Sequence, residues 1–445
     1  MNPFGSLPFR LRSGLWLVAS LLLLGTACSD NVEITHRYTF MRPVYTPTAE
    51  IRNSFAVEAP RTLTGTGKIY YRAPYVFINQ PGEGVHIINN TNPENPVNER
   101  FVNIPGNFDM AVLGNTMYAD SYVDLLAIDI SNVNNVRVVK RLERAFPAYN
   151  SWGFYWDEEA GIITRWEEDE RVEVFEDELT AMNAPGLFRF RGGIARNDAV
   201  FSRNASLASF SAEGSSVSSD GAGVGGSMAR FAIADERLYT IDDYNLRVFS
   251  LENAESPVAG DTVPVGFAIE TIFPFKDKLF IGSRSGMFIY DQSNPDRPQL
   301  ISEFQHATSC DPVVANDSMA YVTLRSGNAC EGFINQLDVI DIRDVTRPKL
   351  VKTYPMENPH GLGISGTTLF ICEGDFGLKV LDATNSRDIT GLTHFKDVHA
   401  YDVTPLGEIL MMVGDDGLYQ YDYSDPAQVR QLSKLDIVRP QPVSR

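Results

Sequence analysis

The chain is predicted to fold as an all-β protein, a single β-propeller of about eight four-stranded blades, with seven as the other number its repeats allow. Three observations point there. A short motif recurs at intervals close to forty residues. Each interval divides into strand-like segments in the same order, and those segments are rich in Val, Ile, Tyr and Phe.

The motif is an apolar or aromatic strand, then Asp or a polar stand-in, then a turn of Ser, Asn or Pro. It reads VHIINNTNP (85–93), LLAIDISNV (125–133), LRVFSLENA (246–254) and MFIYDQSNP (287–295). It returns as LDVIDIRDV (337–345), LKVLDATNS (378–386) and LYQYDYSDP (418–426), with a weaker copy, RVEVFEDEL, at 171–179. Measured at Asn89, Asp129, Glu176, Ser250, Asp291, Asp341, Asp382 and Asp422, the gaps are 40, 47, 74, 41, 50, 41 and 40. The acidic residue has an architectural explanation: at a strand end its oxygen accepts backbone N–H groups of the turn that follows.

Inside the units the strand order repeats. In 107–142, NFDMAVLG is followed by NTMYADSY, DLLAIDIS and VRVVKRLE; in 360–395, HGLGIS is followed by TTLFICEG, GLKVLDA and ITGLTHF. Polar pairs such as Gly114-Asn115 and Ser365-Gly366 separate the first two strands, as tight hairpins require. A ring of such units hides the sheet edges that an open array would expose.

The motifs LAIDIS, LDVIDI and LKVLDA resemble the LVIVD repeat of β-propeller lipoproteins of Bacteroidota and other bacteria, over roughly residues 67–438. The resemblance implies fold and location. It implies no defined activity.

The N-terminus reads as an export signal. Arg10 and Arg12 precede an apolar run from Leu15 to Leu24, and Gly25, Thr26 and Ala27 lead into Cys28. That run is far shorter than the roughly twenty residues a membrane span needs. The pattern resembles a bacterial lipobox, in which Cys28 becomes the lipidated first residue, although Gly25 stands where Leu is usual. An ordinary secretory signal is the other reading. The organisation that follows is a signal peptide at 1–27, a tether and N-terminal segment at 28–66, the propeller at 67–438 with a flexible insertion at 181–226, and a tail at 439–445. The expected location is the outer membrane or cell surface.

Charge narrows the partners. The formal net charge is −19, and loss of residues 1–27 takes it to −21, because Arg10 and Arg12 go and no acid does. Such a chain repels nucleic acid and anionic membrane surfaces. A monomer with a lipid anchor and an unknown protein or glycan partner is expected.

Two stretches depart from the repeat. Residues 149–180 are acidic and tryptophan-rich, and 181–226 are dense in Ser, Ala and Gly. The 74-residue gap between the third and fourth motif copies is what leaves seven and eight blades both open.

In a propeller the first strand of each blade lines the channel. The loops between blades and those between strands two and three open on one face. The inner-strand starts contribute Asn107, Asp109, Asn150, Trp152, Asp311, His360 and His399. The strand two-to-three loops contribute Asp120, Asp124, Glu167, Glu168, Arg325, Glu373, Asp375, Asp415 and Asp416. Rigidly held loops are the usual seat of binding, so the candidate residues are Asp109, Trp152, Asp311, Arg325, His360, Glu373, Asp375, His399, Asp415 and Asp416. Turn chemistry alone also favours Asp, Asn and Gly at such places. Cys310 and Cys330 fall on the same face of one unit and are expected to form a disulfide, leaving Cys372 as a buried thiol.

No phosphate loop, GxGxxG, GxSxG or HExxH is present, and no cofactor is expected. Glu373-Gly374-Asp375 and Gly414-Asp415-Asp416-Gly417 could offer oxygens to a divalent cation such as calcium. The expected function is a non-enzymatic binding or scaffold module acting through the loop face. The alternative is a propeller hydrolase or lyase with its site at the channel mouth.

Overall fold

The structure, a computed structural model, describes residues 34–148, 155–175, 224–225, 227–305, 312–326 and 334–438. Cys28, Trp152, Cys310, Asp311 and Cys330 lie outside these residues, as does most of the 181–226 segment. Eight antiparallel sheets are present among the described residues. Seven are the blades of a ring, at 69–103, 110–142, 231–264, 269–305, 313–355, 362–395 and 400–436, here blades 1 to 7. The all-β propeller is as expected, and the smaller blade number is the one the ring takes.

Burial explains the composition of each strand. The middle strands are sandwiched between neighbouring blades, so both faces are apolar and Tyr75–Gln80 or Ile409–Gly414 is buried almost throughout. The outermost strands face solvent, and Val258–Pro264 and Lys349–Pro355 are mostly exposed. The core is therefore a set of apolar seams. Those seams join blades 1, 2 and 3, blades 3 and 4, blades 4, 5 and 6, and blades 6 and 7. The last seam closes the ring, packing Ile69, Val76 and Ile78 of blade 1 against Met411, Val413 and Leu418 of blade 7.

The recurrent acidic residue is architectural in every blade. Asn89, Asp129, Asp291, Asp341, Asp382 and Asp422 each accept the N–H two residues on at 2.8–3.1 Å, and Ser250 does so at 3.5 Å. Just past this turn, the pairing of strands three and four slips by one residue in all seven blades. Such a bulge strengthens the twist a blade needs.

At six of the seven junctions a carbonyl of the same turn latches the blade to the one before it, and at the seventh Arg100 of blade 1 donates to Asn134 in the turn of blade 2. Tyr118 donates to the Ala254 carbonyl, Tyr239 to Pro295, Ser302 to Val345, Tyr354 to Ser386 and Thr393 to Pro426. Ser433 of blade 7 donates to Pro93 of blade 1 at 2.5 Å, so the closing junction uses the same bond as these.

The third motif copy is not a blade. Blade 2 packs directly on blade 3, with Phe146 5.7 Å from Phe231 between ring centres. Residues Gly161–Phe175 instead pair with Trp156–Asp157 and with Ile34–Thr46 in a three-stranded sheet. Beyond Ile163 this strand is largely exposed and carries the run Glu167, Glu168, Asp169, Glu170 and Arg171. Such a strand cannot be enclosed between two blades, because neither face is apolar. Glu167 and Glu168 thus sit within a strand rather than in a loop.

The segment expected as a tether is partly folded. The described residues 44–148 and 155–165 belong to the ring's compact unit, whereas the described residues 34–43 and 166–175 belong to a second unit. Within the second unit Arg42 pairs with Glu167 at 2.8 Å and Arg37 with Glu170 at 3.2 Å. Within the ring unit, Thr48–Asn53 is a short helix whose Arg52 forks onto Asp124 at 2.7 and 3.0 Å. Ala56–Glu58 then extends blade 1 by pairing with its outer strand. Strand addition through the backbone needs no hydrophobic period, which is why the segment reads as unpatterned.

The chain itself crosses the channel. Val224 and Gly225 pair with Tyr71 and Tyr70 of blade 1. Lys68 donates to the Met228 carbonyl, and Ser227 Oγ accepts the Leu362 N–H of blade 6 at 3.4 Å. The Ala229 carbonyl accepts the Ile272 N–H of blade 4 at 2.9 Å, and Asp109 of blade 2 accepts the Arg230 and Phe231 N–H groups at 2.6 and 3.2 Å. A segment bonded to inner strands on opposite sides of the ring occupies its centre. The end of the Gly-rich excursion is a plug.

Candidate functional site

Two groups of polar side chains ring the axis, and the plug separates them. On the side of blades 1 and 2 they are buried. Asp109 is 2% and Lys68 3% exposed, and each perturbs the other. Burial lowers the Lys68 ammonium and raises Asp109, with the opposite charge of each resisting the change. Asp120 holds the neighbouring loop, accepting Phe108 N–H at 2.7 Å, Asn107 Nδ2 at 2.8 Å and Asp109 N–H at 3.0 Å. Burial outweighs these bonds and pushes its carboxyl up to about 7. Asp402, fully buried from blade 7, is raised well above the usual carboxylate range by the same cause. Asp109, expected on the loop face, is therefore the clasp of the plug.

On the side of blades 4 to 7 the rim is partly accessible: His360 is buried, Arg325, His399, Tyr401 and Asp415 are half-buried, and Asp375 is exposed. Arg325 Nη1 lies 3.1 Å from His360 Nδ1. Burial, then Arg325, then His399 drive the His360 imidazole down to about 2, so it stays neutral and accepts from the guanidinium. The His360 and His399 rings are 6.5 Å apart, with Tyr401 5.4 Å from the first and 4.4 Å from the second. His399 Nε2 is 3.2 Å from Asp375, and the Tyr401 hydroxyl donates to Asp415. The structure thus brings together Arg325, His360, Asp375, His399 and Asp415, which the repeat positions had singled out.

Local geometry makes this arrangement rigid. The Asp375 loop is tied to the start of the next inner strand by two bonds between Gly374 and Ala400, at 2.9 and 3.0 Å. Gly374 is left-handed at φ +53°, and a Cβ there would lie 3.0 Å from His360 Nε2. Thr323 fixes His360 from below by donating to its carbonyl at 2.7 Å.

Two candidates are engaged away from this cluster. Glu373 is fully buried, accepting the Glu357 N–H at 2.9 Å and pairing with Lys379. Asp416 is held by Lys434 at 2.7 Å and the Tyr419 hydroxyl at 2.8 Å. Asp124 is likewise enclosed, by Arg52 and Arg141. Among the described residues no group of three or more His, Cys, Asp or Glu could hold a metal ion. Cys372 is a buried thiol of blade 6.

Sequence reasoning missed Lys68, Arg230, Glu270 and Tyr401. Lys68, Arg230 and Tyr401 lie within one residue of an inner-strand start, so the repeat frame could have found them. Glu270 extends the rim into blade 4, where it pairs with Arg284 at 2.9 Å. Chemically the rim offers the neutral imidazole of His360, the His399 ring, a largely buried guanidinium, a phenol and two carboxylates, a set suited to holding a polar ligand.

No family model matches the chain, and no curated protein matches it. Among solved structures it is similar to BamB from Moraxella catarrhalis, at 10% identity and TM-score 0.46 over 83% of this chain and 84% of that one. It is similar to a functionally unknown protein from Desulfotomaculum acetoxidans DSM 771, at 10% identity and TM-score 0.48 over 84% of this chain and all 100% of that one. A third similarity is to PorZ, described as an essential bacterial surface component of the type-IX secretion system of Porphyromonas gingivalis. It has 11% identity and TM-score 0.44 over 86% of this chain and 39% of PorZ. The likeness concerns fold alone, and the propeller itself rests on the strand order, seams and latches of this chain.

Proposed function

We propose that the protein is an exported, lipid-anchored propeller of the LVIVD-repeat type that serves as a binding or scaffold module at the cell envelope. It engages a protein or glycan partner through the rim of blades 4 to 7. The observation that carries the binding reading is the convergence of Arg325, His360, Asp375, His399, Tyr401 and Asp415 on one rim, beside a channel filled by the chain's own residues. The export reading is supported by the Arg-flanked apolar run that ends at Cys28.

The test of binding is capture from surface-labelled cells by the intact protein, compared with a variant carrying Asp375→Asn, His399→Ala and Asp415→Asn. Loss of the captured partner is expected, and equal recovery by both overturns the rim. For the anchor, labelled palmitate should be incorporated into wild type and not into Cys28→Ser. Equal labelling refutes Cys28 as the lipid site.

A further inference from the structure

We infer that Tyr244 and Phe267, beside this rim, form a subsite for an uncharged sugar ring of a glycan. The inference deepens the binding reading above and rests on it. Phe267 is 71% and Tyr244 54% exposed, with ring centres 5.7 Å apart. One stands in the strand two-to-three loop of blade 3 and the other in the connection to blade 4.

The shelf is rigid. Asp242 accepts the N–H groups of Tyr244 and Asn245, both at 2.9 Å, closing the first loop. The Tyr244 carbonyl accepts Val265 and Gly266 N–H at 2.9 and 3.3 Å, tying the second loop to the first. Ala268, left-handed at φ +53°, turns the chain directly after Phe267. Loops fixed in this way lose little backbone freedom when a ligand arrives.

Size and charge select the ligand. A stable protein interface removes about 800 Å² from each partner, whereas two aromatic side chains offer about 150–250 Å² each. The pair is too small to be the core of such an interface; its rings are tilted by 59° to one another, so one ring stacks on a pyranose face while the other flanks it. The charges around it are closed on one another: Arg230 with Asp243 at 3.2 Å, Arg247 with Asp242 at 3.1 Å and Arg284 with Glu270 at 2.9 Å. Paired charges select neither an acid nor a base. They do present planar donors and acceptors to hydroxyl groups, while the stacked ring takes the C–H face of the sugar.

The test is binding of full-length protein to a panel of neutral gluco-, manno-, galacto- and N-acetylglucosamine oligosaccharides, with uronate oligomers alongside. At least one neutral oligosaccharide should bind, Phe267→Ala and Tyr244→Ala should each weaken it about tenfold, and Phe267→Trp should retain it. Thermal unfolding should not move, since both rings are exposed. Absence of neutral-sugar binding, preference for uronates, or equal binding by the alanine variants overturns the shelf. If sugar binding survives Phe267→Ala yet falls with Asp375→Asn and His399→Ala, the shelf fails and the rim stands. If the captured partner is a protein that resists glycosidase and is lost in Phe267→Ala, the occupant is a protein and the glycan assignment fails.

Discussion

Replacing Asp109 by alanine is expected to unclasp the plug. Its Oδ2 accepts Arg230 N–H at 2.6 Å and Phe231 N–H at 3.2 Å, and its Oδ1 accepts Met110 N–H at 2.7 Å. The residue is 2% exposed, so water cannot replace the lost acceptor without the segment moving. Each buried donor left unsatisfied costs about 1–3 kcal/mol. Lys68, also buried, loses the opposing charge of Asp109, which adds to the cost. These contributions overlap, because relaxation that frees the amides also hydrates Lys68. A net loss of about 3–5 kcal/mol follows, with a smaller loss for Asp109→Asn, which keeps one acceptor. Urea unfolding measures the total, and hydrogen exchange localises it. At about 1.4 kcal/mol per factor of ten, protection of the Arg230 and Phe231 amides should fall at least ~10²-fold. A variant within about 0.5 kcal/mol of wild type, with that protection intact, would refute the clasp.

Ser433→Ala removes the latch between blades 7 and 1, and should cost about 1 kcal/mol in urea unfolding, the same as Tyr118→Phe at the junction of blades 2 and 3. Arg52→Ala deprives the enclosed Asp124 of its two-pronged partner and should cost about 2–3 kcal/mol, read by the same method and by earlier proteolysis of residues 44–58. The turn carboxylates give an acid limb. Asp341 is lowered to about 2 by its bonds to Arg343, and Asp382 and Asp422 are lowered by Thr384 and Ser424, so their contribution is present above the unfolded value near 4 and is lost as pH falls through the folded values. Asp341→Asn should flatten the fall in unfolding midpoint between about pH 4 and pH 2. Asp120 acts in the opposite sense: with a folded value of about 7 its contribution is full below the unfolded value and declines as pH rises to 7, by ~4 kcal/mol, and Asp120→Asn should remove that slope.

The blades were legible because their chemistry is local. The strand, acid and turn of each unit lie within nine residues, and the bond they encode, from the acid to the N–H two places on, depends on nothing distant. The blade number was less legible, since RVEVFEDEL carries the strand and acid of the motif. What excludes it from the ring is the charge run just before, from Glu167 to Arg171, which no seam between blades can enclose. That signal was in the sequence, but it becomes decisive only once middle strands are known to be apolar on both faces. The N-terminal segment was legible least. Ala56–Glu58 joins blade 1 through backbone bonds, and a single Arg–Asp fork at Arg52 anchors the helix before it.

The candidate rim divides along the same line. Repeat position placed His360, His399, Arg325, Asp375 and Asp415 beside inner-strand starts or in two-to-three loops, and they meet because equivalent positions in adjacent blades are neighbours, whereas Glu167, Glu168, Asp120 and Asp124 fall within strands. Repeat position could not tell accessible from buried, because that depends on where the plug crosses. Its bonds are made mostly through its own backbone groups: Val224 and Gly225 with Tyr71 and Tyr70, the Met228 carbonyl with Lys68, the Ala229 carbonyl with Ile272, and the Arg230 and Phe231 N–H groups with the Asp109 carboxylate. Backbone bonding leaves no periodic trace in a Ser- and Gly-rich stretch. Yet the plug sorts the ring's chemistry. By pairing along blade 1 and ending on Asp109 of blade 2, it turns the polar residues there inward, where Lys68, Asp109 and Asp120 hold structure. Blades 4 to 7 keep Asp375 exposed and His399, Tyr401 and Asp415 half-exposed, with the aromatic pair Tyr244 and Phe267 in the open beside them. A seven-fold frame thus presents a one-sided surface, and a ligand would have to bind off the axis, along the rim from Phe267 to Asp415.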